Sequence, residues 1–90
     1  MLTNMVNKAT LTAQSVVEVI DGDSTKMVAV ETYVCSVDTA NPENMTITKA
    51  YASTEGKNAY ESNRSQCRAD YSEFQTMAYA LQDEMFSKQI

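Results

Sequence analysis

Two stretches of alternating side chains, residues 8–20 and 26–37, flank an Asp21-Gly22 pair, and this arrangement limits the chain more than any other feature. In the first stretch Ala9, Leu11, Ala13, Val17 and Val19 fall on one face, and Thr10, Thr12, Gln14 and Glu18 on the other. A period of two with many β-branched residues is the signature of a strand. Ser15-Val16 interrupts the alternation and marks a bulge. Asp-Gly between alternating runs favours a tight turn, because glycine adopts positive φ at no steric cost. In the second stretch Met27, Ala29, Glu31, Tyr33, Cys35 and Val37 share one face, and Val28, Val30, Thr32, Val34 and Ser36 the other. Apolar residues on both faces predict a central strand, or one covered on both sides. An N-terminal antiparallel β-hairpin follows.

Beyond the hairpin, Asn41-Pro42-Glu43 reads as a helix start, with a cap, a proline at the first helical position and an acid at the positive end of the dipole. A short middle helix is expected over about 42–53, opposed by the β-branched Thr46, Ile47 and Thr48. Thr54–Asn58 reads as a loop with Gly56 at positive φ. Residues 59–69 are polar and predict an edge strand, with a helical run from Glu55 onward as the rival reading. Phe74, Met77, Ala78, Leu81 and Met85 then form one stripe of an amphipathic helix over about 71–87, with capping-box spacings at Asp70/Glu73 and Ser72/Gln75. The expected fold is α+β: a three-stranded antiparallel sheet, the hairpin plus a polar edge strand, with a short middle helix and an amphipathic C-terminal helix.

Ninety residues make a single domain, 1–90, and a core too thin for an elaborate enclosed pocket. Oligomerisation is a common remedy. Net charge is −5, which disfavours nonspecific binding to nucleic acid and suits docking on a basic protein surface. With two glycines in all, glycine-rich phosphate loops are excluded. No stretch is long and apolar enough to predict a membrane span. The N-terminal residues do not read as a secretory leader, so Cys35 and Cys67 are expected as reduced thiols and the chain in the cytoplasm, that of the host if phage-encoded.

The chain contains no histidine, which removes the commonest general base, histidine-activated nucleophiles and most zinc sites. The carboxylate pairs Asp21/Asp23 and Asp83/Glu84 read as a turn and a solvated helix end. Asp21-Gly-Asp-Ser opens like a calcium loop, but Thr32 stands where the final acidic ligand is required. The expectation is a non-enzymatic protein without metal, cofactor or small-molecule substrate. Lys8, Arg64 and Arg68 are the candidate nucleic-acid contacts, the two arginines being interleaved with Tyr60 and Tyr71. Tyr33, Tyr60 and Phe86, large and off the clearest core stripes, are the candidate dimer or partner contacts.

Lys8-Ala-Thr-Leu-Thr-Ala, Val19-Ile-Asp-Gly-Asp, Glu31-Thr-Tyr-Val and Tyr71-Ser-Glu-Phe-Gln-Thr-Met-Ala lie in an order that resembles the small histone-like nucleoproteins of Bacillus bacteriophages, over about residues 7–80. The resemblance implies a dimer that multimerises along double-stranded DNA and touches the minor groove through a basic N-terminal segment. Here Lys8 is the only basic residue before Lys26. The functional expectation is a phage-type protein that self-assembles, as a dimer or larger, with double-stranded DNA as its ligand. The alternative is a compact acidic inhibitor that occupies a host defence or nucleic-acid-processing enzyme by imitating nucleic-acid charge.

Overall fold

The structure is a computed structural model that describes residues 8–88, with Lys8 described by its backbone alone. The N-terminal segment read above for a leader lies outside the described residues. Strand β1, Lys8–Asp21, turns at Gly22 into β2, Ser24–Asp38, and a loop leads to β3, Met45–Tyr51. Helix α1, Thr54–Tyr60, passes through a single 3-10 turn, Glu61–Asn63, into α2, Arg64–Ser87. The strands form one antiparallel sheet in the order β1-β2-β3. The helices pack on one of its faces, and the molecule measures 58 × 28 × 18 Å. Among the described residues no helix is long and apolar enough to cross a membrane.

The α+β class, the three-stranded antiparallel sheet, the short helix and the long C-terminal helix stand as expected. The third strand and the short helix lie elsewhere in the chain. Residues 45–51, read as part of a helix, are β3, and 59–69, read as an edge strand, are helical. Asn41-Pro42 starts a turn instead of a helix, because Asn44 N donates to Asn41 O at 2.8 Å, and proline at the second position suits such a turn. Asp38 Oδ1 accepts from the amides of Ala40 and Asn41 at 2.9 and 3.3 Å, which bends the chain out of β2. Thr46-Ile47-Thr48 then follow their β-branched preference. The cap of α1 is Ser53, whose Oγ accepts from Gly56 N at 3.0 Å.

The bulge lies opposite Ser15 and Val16, but the extra residue is on β2. Ser15 pairs with Glu31 and Val16 with Ala29, which leaves Val30 over. Val30 and Glu31 therefore both face the helices, and the inward set of β2 changes from Val28 and Val30 to Glu31, Tyr33, Cys35 and Val37. That change of phase, and not a cover on both faces, explains why β2 has apolar residues in both alternating sets. The opposite face, with Thr10, Thr12, Gln14, Thr46 and Thr48, is exposed.

The bulge also seats α1. Val30 O accepts from Ala52 N at 2.9 Å. Gly56 lies so close that a Cβ would stand 2.9 Å from Val30 O and nearer still to Ala29 O. Close approach, not positive φ, requires glycine there; positive φ occurs at Gly22, at 66°. Helix α2 begins seven positions before the predicted start, and its inward residues run Cys67, Tyr71, Phe74, Ala78, Leu81 and Met85. Met77, placed in the stripe by spacing, is about half exposed.

Candidate functional site

Two apolar clusters form the core. One joins Tyr33, Cys35 and Val37 to Phe74 and Ala78, and the other joins Val17 and Val30 to Cys67. Between them lies a band of polar groups, of which Ser15, Glu31 and the Tyr33 side chain are buried. Ser15 Oγ donates to Asp70 Oδ2 at 2.6 Å and lies 3.6 Å from Cys67 Sγ. Tyr33 Oη lies 2.8 Å from Glu31 Oε1, to which it donates, and 3.2 Å from the Cys67 carbonyl. Lys49 Nζ stands 3.8 Å from the second Glu31 oxygen and 4.9 Å over the Tyr71 ring. Burial first, and then the Glu31 carboxylate, hold the Tyr33 phenol well above its ordinary pKa. Burial also pushes the Cys35 thiol up.

The band contains a serine beside a carboxylate, but Ser15 is only 1 % exposed and offers no approach to a substrate. What these groups do is fix the tilt of α2 on the sheet, each hydrogen bond being satisfied inside the layer. Among the described residues no group of three or more Cys, Asp or Glu side chains comes together as a metal site.

Tyr33, expected at a partner contact, is corrected to a core residue: it is 1 % exposed and packed between Tyr71 and Phe74, with ring centroids at 5.2 and 5.4 Å. The bulge turns it inward. Tyr60 is half-buried and meets Tyr51 edge-on at 5.6 Å, on the helix-bearing side. Phe86 is 44 % exposed near the end of α2. Arg64 and Arg68 lie one turn apart on the outer side of α2, Arg64 3.8 Å from Glu61. Lys8 pairs in register with Asp38, beside the loop where Gln82 holds the Pro42 carbonyl at 2.8 Å. Gln82 and Arg64 are separated by most of α2, about 27 Å at the rise of a helix. The three basic candidates are thus not brought together.

What composition and spacing did not reveal is an edge. Strand β1 lies at the margin of the sheet, and from Ala9 to Val17 it carries no charge, glycine or proline. Natural edges are usually blunted by such residues or kept short. The other margin, β3, is seven residues long and contains Lys49. Two open hollows follow the free side of β1. The first is lined by Ala13, Gln14, Val16, Phe74 and Met77, the second by Val19, Ile20, Asn58 and Ala59. Each draws on adjoining residues of β1 together with residues of the helix beside them. The turn end of the hairpin lies beside α1, where Lys26 pairs with Glu55, and it leaves Ile20 and Met27 80 % and 63 % exposed. Comparison of the chain with protein-family models, curated proteins and solved structures finds no match.

Proposed function

We propose that this chain is a non-enzymatic assembly protein that works by associating with copies of itself. One observation carries the reading: among the described residues the outer strand β1 offers fourteen residues on an unpaired margin, nine of them in a row without charge. Unpaired amides and carbonyls on such a margin are a template for another strand. Charge supports protein over DNA as the first partner. Lys26, Lys49, Arg64 and Lys88 each have a carboxylate within ion-pair distance, and of the three residues named for DNA, Lys8 stands apart from the two arginines. Double-stranded DNA is a ligand of the assembled form in the phage-nucleoprotein version of this reading.

Light scattering at about 50 and about 300 mM salt, with and without a random duplex, separates the versions. Copies of net charge −5 joined at an uncharged margin repel less as salt rises. The expected result is a concentration-dependent multimer that persists or strengthens at the higher salt. Loading onto DNA only at low salt would support the nucleoprotein version. A monomer at every concentration and salt would overturn the proposal and favour the acidic inhibitor.

A further inference from the structure

The free margin of β1 also limits how a second copy sits on it, if the self-assembly reading holds. Two identical edge strands continue one sheet as an antiparallel pair only about a two-fold axis perpendicular to that sheet, and this axis keeps the helices of both copies on the same side. Residues directly opposite then share a face, so odd positions of β1 meet odd positions and even meet even.

We infer that the partner of β1 is the β1 of a second copy, paired antiparallel about an axis through Gln14, to give a continuous sheet in the order β3-β2-β1-β1-β2-β3. With Gln14 opposite itself, the helix-bearing face sets Leu11 against Val17, Ala9 against Val19 and Ala13 against Ser15, and the open face sets Thr12 against Val16. Leu11 and Val19 are half-buried in the single copy, each packed at the margin of one core cluster. The register therefore extends both clusters across the junction. Within the paired strands no like charges stand opposite each other, and Asp21 falls outside the paired stretch; the carboxylates nearest the axis, Asp70 and Glu73, belong to α2 and line the first hollow. Moving the axis to Ser15 sets Ala9 against Asp21 and brings the two Ser15–Asp70 pairs toward one another, which loses on both counts. The first hollow lies beside Gln14, where the axis falls, so the exposed Met77 on its rim comes next to the partner.

The test places single cysteines at Gln14→Cys and, as a control on the same exposed face, at Thr46→Cys. Cys35 and Cys67 are both fully buried and do not compete for a thiol reagent in the folded protein. A short bifunctional thiol reagent should trap a covalent dimer of Gln14→Cys and not of Thr46→Cys. Light scattering on the same samples keeps the two claims apart. A multimer in which Gln14→Cys is trapped no better than Thr46→Cys overturns the register and leaves self-assembly standing, whereas a monomer overturns both. Charge reversal gives a second readout. Gln14→Lys and Gln14→Glu should each weaken association on the order of fivefold by opposing like charges, and mixing the two should restore it. Unchanged association in both single variants would also overturn the register.

Discussion

Gly56 shows how one missing carbon places a helix. Helical propensity alone makes Gly→Ala stabilising by about 1 kcal/mol. Here the added carbon would meet two backbone carbonyls of the bulge, which cannot swing aside as a side chain would. Gly56→Ala is therefore expected to destabilise by about 1–3 kcal/mol, the usual range for overpacking, measured as a fall in the urea midpoint. Gly22→Ala has open space around it and meets only the strain of a positive φ, so it should cost about 1 kcal/mol. A stabilised Gly56→Ala would mean that α1 does not rest on the bulge. The sequence showed that Gly56 was special and suggested the wrong reason. Its partner is a pair of carbonyls some 26 residues away, which no local pattern contains.

At the scale of elements, the bulge residue Val30 does three things: it fills the second core cluster, accepts the Ala52 amide and makes the seat for α1. Deleting Val30 leaves Ser15 opposite Glu31 and Val16 opposite Ala29, so the hairpin keeps its faces. The loss falls on the helix. The deletion should cost about 1.5–3 kcal/mol for the buried valine and about 1 kcal/mol for the hydrogen bond. Hydrogen exchange should show α1 and Ala52 losing protection while the β1–β2 ladder keeps it; full protection in α1 would refute this role. The hairpin and the C-terminal helix were legible because each repeats its own period over many residues. The third strand was not, since Asn41-Pro42-Glu43 suits both a helix start and a turn. The choice went to the turn through Asp38, which takes up two loop amides, and through the pairing of Met45–Tyr51 with β2.

For the whole molecule, three ionisable groups bias stability in one direction. Burial raises the pKa of Tyr33, with help from Glu31, and that of Cys35; the hydrogen bond and charge of Glu55 raise Lys26. Each group holds its proton more tightly when folded. The unfolded chain therefore binds fewer protons than the native one at high pH, and stability falls as pH rises. The contribution is complete at neutral pH and declines from about pH 9, where an unfolded thiol begins to ionise, and further from about pH 10 as tyrosine does. Urea midpoints across the alkaline range should follow that descent, and Tyr33→Phe should flatten its upper part while lowering stability at neutral pH. A midpoint indifferent to alkaline pH would show that Tyr33 is not held in the core as described.

The sequence by itself determined the class of fold, because side-chain period and turn chemistry are local and survive without any contact. It specified the hairpin, the inward positions Phe74, Ala78, Leu81 and Met85 of α2 and the lack of a histidine-based site. Only the tertiary structure decided which residues stand where two elements meet: Glu31 and Tyr33 turned inward by one extra residue, Gly56 pressed on carbonyls, and Lys8 kept far from Arg64. It also decided that β1 lies outermost. Strand order depends on which neighbour each margin finds, and a margin without a neighbour is a property of the assembled sheet.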